Sequence, residues 1–347
     1  MGGAFGLQTH IWNNNWKTVL LMAGFPILLL LLTYALFLLF AGLSGTYSGN
    51  DPVAGYFIWA GDAMANAWPF AIVGALVWFG IAYLFYQGII DAATGARKVE
   101  RSQEPKLYNL LENLCISRGL TMPALRIMET DGLNAFATGL HKGQYSITVT
   151  RGLMNTLNDE ELEAVLAHEL THIQNADVRL LVIAVVFVGI FSFVGEMAFR
   201  GLWHSGGGTR TRSSSSGDNR NAGGAFIAIL VALAMIAIAY ALAIVIRFAL
   251  SRRREYLADA GAVELTKNPD AMISALQKIS GNAAVNAPSE VREMFIENPH
   301  SDFASMFATH PPIGKRIEAL VKFAGGRVSA PQAAPVAATP GKRGPWG

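Results

Sequence analysis

The sequence predicts an integral membrane protein of mainly α-helical fold, with four transmembrane helices and a water-facing part that contains a small antiparallel sheet. Three observations lead there. Of 347 residues, 52% are hydrophobic and only 15% charged, well under the charged share of about 25% in ordinary soluble domains. The apolar residues gather into four runs, each long enough at ~1.5 Å per helical residue to cross a hydrocarbon core of ~30 Å. Between the second and third runs lie short apolar segments bounded by turn residues, the pattern of strands.

Each element follows in order. Residues 1–18 form an N-terminal segment expected in the cytoplasm. The first run, 19–43, contains no Lys, Arg, Asp or Glu and follows the polar Asn13-Asn14-Asn15 stretch. It is longer than the ~7–15 residue apolar core of a cleaved signal, so it is read as a retained anchor. An external loop, 44–69, leads to the second run, 70–90, whose Trp78, Tyr83, Phe85 and Tyr86 are of the kind that settle near headgroups. Residues 91–179 are the first half of the soluble domain. There Leu107, Leu110, Leu111 and Leu114 repeat at helical spacing, and Gly119 supplies a stop. Strand candidates are Ala124 to Glu129, Asn134 to Thr138 and Tyr145 to Thr150, separated by Asp131-Gly132 and His141-Lys142-Gly143 turns. A helix then starts at Asn158, a good cap, with Glu161 completing a capping box and Asp159 and Glu160 favouring the positive helix end.

The third run spans 180–199, a Gly/Ser-rich loop 200–224, and the fourth run 225–250. Residues 251–324 form the second half of the soluble domain. The tail, 325–347, repeats Ala, Pro and Gly and is expected to be disordered. Arg97, Lys98, Arg101 and Lys106 follow the second run, whereas Asp51 and Asp62 sit in a first loop without Lys or Arg, so the domain is expected on the cytoplasmic side. Arg200, Arg210, Arg212 and Arg220 would by themselves suit an inside loop. That loop is nevertheless placed outside, because the residues flanking runs three and four converge on one site, which makes the two runs a hairpin. The net charge of +2, with no basic stripe interleaved with aromatics, excludes nucleic acid as a partner. Cys115 is the sole cysteine, which excludes an intrachain disulfide and a Cys-rich metal cluster.

The chemistry is concentrated in His168-Glu169-Leu170-Thr171-His172. Four residues apart on a helix, the two imidazoles share a face one turn apart, so one metal ion can take both. Glu169, beside the first ligand, can reach a water at the metal without itself binding, which suits a general base. Catalytic zinc has three protein ligands in general, and the third is sought downstream. Glu255 and Asp259 follow the fourth run one helical turn apart, Glu255 to ligate and Asp259 to orient a ligand histidine. Alone, both acids would as well neutralise Arg252, Arg253 and Arg254; beside His168 and His172 the metal reading is preferred. Histidine and carboxylate ligation points to one Zn²⁺ per chain. His172 lies eight residues before Leu180 and Glu255 five after Leu250. If those helices continue into the spans, the metal is on the order of 10 Å from the membrane surface at ~1.5 Å per residue.

Together with Asn134-Ala135-Phe136-Ala137-Thr138-Gly139, Arg254 to Ala260 and Thr309-His310-Pro311-Pro312, these motifs resemble the HtpX family of bacterial membrane metalloproteases, related to CAAX prenyl proteases. The resemblance spans about residues 90 to 325. It implies a gluzincin-like domain, zinc held by His168, His172 and Glu255, and catalysis by Glu169. It further implies degradation of damaged or misassembled membrane proteins at the inner membrane, with a cytosolic active site. The longer Gly/Ser-rich loop and the Pro/Ala tail depart from the short members. Asn134, Ala135 and Phe136 are candidates for an edge strand that pairs with an extended substrate, or else for an ordinary sheet strand. His310 is a candidate donor to the oxyanion, or else starts a turn before Pro311. The expected partners are the lipid bilayer and membrane-proximal polypeptides. Two alternatives share the sequence: a processing protease of lipidated proteins, and an inactive membrane scaffold.

Overall fold

The computed structural model describes residues 7–51, 53–183, 219–248, 253–285, 294–296 and 311–328. In chain order the elements are α1 (Leu7–Ser44), α2 (Ala54–Thr94), β1 (Arg97–Lys98), α3 (Pro105–Arg118), β2 (Ala124–Met128), β3 (Ala135–Thr138) and β4 (Ser146–Thr150). There follow α4 (Arg151–Thr156), α5 (Asp159–Gln174), α6 (Asn219–Phe248), α7 (Arg253–Thr266), α8 (Pro269–Ile279) and α9 (Ile313–Ala324).

Among the described residues three helices are long and apolar enough to cross a membrane, over Pro26–Ser44, Ala54–Ile81 and Gly223–Leu242. The run expected at 180–199 is helical to residue 183, and the remainder lies outside the described residues. Helix α2 begins well before the expected residue 70. The chain from Ala54 to Trp68 carries only Asp62 as a charge, and the Asp51 carboxylate accepts the N–H groups of Val53 and Ala54 at 2.7 and 2.9 Å, which starts the helix early. Trp59 of α2 stacks on Phe40 of α1 at 5.9 Å between centroids. Gly42 of α1 approaches α6 so closely that a Cβ there would lie 2.7 Å from Ile229 Cγ1, the close approach that small residues permit between membrane helices.

The sheet has the order β1-β2-β4-β3. It is mixed, not antiparallel as expected: β2 and β4 run parallel, with Ala124 opposite Ser146 and Met128 opposite Thr150, while β3 is antiparallel to β4. The reason is a long-range tether. Leu133 N–H donates to Asn282 O at 2.8 Å and Asn134 Nδ2 to Ala283 O at 3.0 Å, which holds the β2–β3 connection on the far side of β4. The hairpin from β3 back into β4 then leaves β4 central, where all of its residues are buried, and β3 at an edge.

Helix α2 runs directly from its apolar span into this domain. Tyr86 and Ile90 lie in the same core as Leu111, Ile127, Ile147 and Leu166. Tyr86 OH donates to Gln144 O at 3.0 Å, Thr138 Oγ1 to Gln87 Oε1 at 2.6 Å, and Arg126 is paired with Asp91.

Candidate metal centre

Helix α5 carries the paired histidines, and three local features fix it. Its capping box forms as expected: Glu161 N–H donates to Asn158 Oδ1 at 2.9 Å and Asn158 N–H to Glu161 Oε2 at 2.8 Å. The buried Glu161 carboxylate also accepts from Ser274 Oγ at 2.6 Å and Lys278 Nζ at 2.7 Å, which ties α5 to α8. Near the other end Thr171 faces Gly261 of α7, where a Cβ would lie 2.4 Å from Thr171 Cγ2. Glycine at 261 therefore lets α7 close on α5, and that closure carries Glu255 to the histidines.

The three expected ligands come together. His168 Nε2 and His172 Nε2 are 3.1 Å apart, and Glu255 Oε2 stands 3.6 and 3.8 Å from them. All three residues are buried. Four donors arranged tetrahedrally at ~2.0–2.1 Å from zinc lie about 3.3–3.4 Å from one another, so this triangle is of the size that one face of such a site requires.

The outer contacts fix which nitrogens face inward. His172 Nδ1 lies 3.0 Å from Asp177 Oδ2. His168 Nδ1 lies 3.0 Å from Asp259 Oδ1, a close approach that is bent away from ideal hydrogen-bond alignment. Each carboxylate favours a proton on the Nδ1 beside it and leaves a lone pair on Nε2. Arg316 Nη2, which can only donate, sits 3.5 Å from His168 Nε2, in keeping with a lone pair there. Two imidazole lone pairs 3.1 Å apart repel unless a cation or a proton lies between them. The donor set thus fits a divalent metal ion.

The electrostatics favour positive charge at that point. Burial disfavours a charged His172, yet the carboxylates of Glu255 and Asp177 push the imidazole up to about 10. Burial raises the Glu169 carboxyl above its usual range; His168, His172 and Arg316 oppose the rise and Glu255 adds to it. Burial acts in the same upward direction on Asp259, but there the Arg316 guanidinium wins and holds the carboxyl below its usual range. Arg316 itself is wholly buried and grips Asp259 with two bonds, Nε to Oδ2 at 2.8 Å and Nη2 to Oδ1 at 2.6 Å.

A narrow cleft opens on this group, lined by Ala137, Glu169, His172, Arg254, Glu255 and Phe295 among others. It holds about 10 Å³ open to water-sized molecules, room for roughly one water. Asn134 is buried, and its side chain serves the fold: Oδ1 accepts from Ile296 N–H at 3.0 Å while Nδ2 holds Ala283. Ala135 O also accepts from Ile296 N–H at 3.0 Å, and Phe136 packs on Phe295 with centroids 5.2 Å apart. His310 lies outside the described residues.

Three further residues reach the centre through the fold. Asp177 follows α5; the chain turns at Asn175 and Ala176, the latter in a left-handed conformation at φ 58°, and brings Asp177 back to His172. That conformation is uncommon for alanine and is itself a local cost. The salt bridge of Arg316 to Asp259 spans too much chain for any spacing rule. Arg254, the residue before Glu255, donates from Nε to Glu255 Oε1 at 3.1 Å and so steers the ligand carboxylate.

A helix offering two histidines, a carboxylate from a second helix and a buried acid between them, on a chain with membrane-length apolar helices, defines a membrane-bound metalloprotease. The Peptidase family M48 profile matches residues 101–324, and the chain belongs to that family. A protease HtpX homolog of Bacteroides fragilis (strain YCH46) is 45% identical over 329 residues, covering 92% of this chain and 99% of its own length. One from Listeria innocua serovar 6a is 39% identical over 323 residues, covering 90% and 99%. Within peptidase family M48, then, this is an HtpX-type protease. A crystal structure of S. mikatae Ste24p aligns at 22% identity with a TM-score of 0.39 over 73% of this chain and 56% of that one, a likeness too slight to carry an argument.

Proposed function

We propose that the chain is a zinc endopeptidase of the bacterial cytoplasmic membrane that cuts misfolded or damaged membrane proteins close to where they leave the bilayer. One observation carries the juxtamembrane part. Helix α2 runs without a break from its apolar span into the protease domain, where Gln87 accepts a hydrogen bond from Thr138, the last residue of β3, beside the exposed apolar Leu84 and Ile89. At ~1.5 Å per residue, β3 is thus held within about one helical turn of outward-facing apolar residues of the same helix. The basic residues that follow α2 support a cytosolic domain.

His168, His172 and Glu255 hold the zinc, with Asp259 and Asp177 orienting the imidazoles and Arg316 fixing Asp259. When bound there, zinc supplies Lewis acidity that acidifies a water and polarises a carbonyl. Glu169, raised by burial, takes the proton from the attacking water and passes it to the leaving amine. Asn134 Oδ1 and Ala135 O take the Ile296 N–H and Phe136 packs on Phe295, so a substrate approaches the cleft at Ala137 instead of pairing along Asn134, Ala135 and Phe136. His310 donates to the oxyanion.

The test is Glu169→Gln in the purified full-length protein. Bound zinc should stay near one per chain while cleavage of an unfolded membrane protein drops by about 10²–10⁴; equal activity in both forms sinks the enzyme reading. Mapping the cuts tests the location, since sites deep in large soluble domains, without preference for juxtamembrane segments, would oppose it. Preference for prenylated peptides over misfolded proteins would favour a processing enzyme.

A further inference from the structure

Arg254 does more than its bond to Glu255 accounts for. The side chain is buried, 4% exposed, and lines the cleft together with Glu169, Glu255 and His172. Its Nε is spent on Glu255 Oε1 at 3.1 Å. Its Nη1 is also buried but meets no hydrogen-bond partner among the described residues. A cationic N–H taken out of water without an acceptor is costly to the fold, and such a group in a native structure calls for an explanation. Arg316, the other buried guanidinium beside the ligands, raises no such question: both of its terminal nitrogens are engaged, with Asp259 and Ile296 O.

The position suggests the missing acceptor. Glu255 turns Oε2 to the histidine pair and Oε1 to Arg254, so the guanidinium lies immediately across the ligand carboxylate from the metal position. Guanidinium is planar and rigid, so fixing Nε also fixes the direction of Nη1. A carbonyl oxygen that enters beside Glu255 gains charge as the amide becomes tetrahedral, and a preplaced donor is of most use to an oxygen whose charge grows during the reaction.

We propose that Arg254 is a further catalytic residue, whose Nη1 donates a hydrogen bond to the scissile carbonyl oxygen of the polypeptide substrate as it becomes an oxyanion. This rests on the zinc-peptidase reading above. The bond is made to the substrate, so its loss should lower kcat and the binding of anionic tetrahedral mimics while leaving the metal in place.

The experiment uses the full-length protein in detergent, with Arg254→Met, Arg254→Lys and Glu169→Gln. For each, zinc per chain, kcat and KM on a fluorogenic peptide, and the Kd of a phosphonamidate peptide are measured. Arg254→Met should keep its zinc, lose about 10²–10³ in kcat with KM within about threefold, and lose phosphonamidate affinity in proportion. Arg254→Lys, still a cationic donor, should recover part of both. Glu169→Gln should bind zinc and phosphonamidate yet turn over poorly; if it is fully active, the peptidase reading fails whatever Arg254 does. If both Arg254 variants lose zinc, the residue acts only by holding Glu255, and the proposal is overturned. It is equally overturned if zinc is kept and phosphonamidate binding is unchanged.

Discussion

Asp259 and Asp177 each approach one histidine at 3.0 Å, yet their loss should have unequal consequences, because Asp259 is also the carboxylate that the buried Arg316 grips. In Asp259→Asn the wholly buried Arg316 loses the carboxylate it grips at 2.6 and 2.8 Å. Breaking a buried pair from one side costs about 3–5 kcal/mol. The Glu255 carboxylate, 3.8 Å from Arg316 Nη1, takes up part of the charge and puts the expectation near the lower end, ~3 kcal/mol. Loss of the contact to His168 should further weaken zinc binding by about 10–100-fold. Asp177→Asn removes the corresponding contact to His172 at 3.0 Å and should lower zinc affinity by a similar factor of about 10–100, but it has no share in the Arg316 pair. Chelator competition measures the affinities, and unfolding of the metal-free forms in detergent measures the stabilities. The metal-free Asp259→Asn protein should be less stable than metal-free Asp177→Asn by at least ~2 kcal/mol, and Arg316→Met added to Asp259→Asn should restore most of the stability without restoring zinc affinity. Equal stabilities of the two single variants, or no rescue by Arg316→Met, would refute the assignment of that difference to an orphaned guanidinium.

Gly261→Ala places a methyl group 2.4 Å from Thr171 Cγ2; it should destabilise by about 1–3 kcal/mol and weaken zinc binding by forcing α7 off α5, measured by melting and chelator competition. Saturating zinc should stabilise the wild type by about 2.7 kcal/mol at a hundred times its Kd, and Glu255→Ala should abolish that increment in a thermal shift assay. Hydrogen bonding from Arg151, with help from Arg97, holds the Glu129 carboxyl down to about 2 against an ordinary 4.5. A depressed carboxylate stabilises above its ordinary pKa and ceases to do so as pH falls through the depressed one. Acid titration of the melting temperature should therefore show a loss between about pH 4.5 and 2 that Glu129→Gln removes; Glu129 is about half-exposed, so solvent screening keeps the effect under about 1 kcal/mol.

Much of the site was legible because its parts are local. His168, Glu169 and His172 lie within one helical turn and a half, and the capping box that starts their helix needs only Asn158 and Glu161. Helical periodicity likewise places Glu255 and Asp259 on one face without knowledge of the fold. What chain spacing cannot convey is which separate segments meet. The parallel pairing of β2 with β4 depends on Leu133 and Asn134 bonding to residues 282 and 283, far along the chain. Asp177 reaches His172 only because Ala176 turns the chain back, and Arg316 reaches Asp259 from another helix altogether. The sequence by itself determined the chemistry, since ligand type, helical period and apolar run length are properties of neighbouring residues. Only the tertiary structure decided the geometry, because the approach of α7 to α5 at Gly261, the burial that raises Glu169 and the buried partners that outweigh burial at Asp259 and His172 arise from residues that the fold brings together.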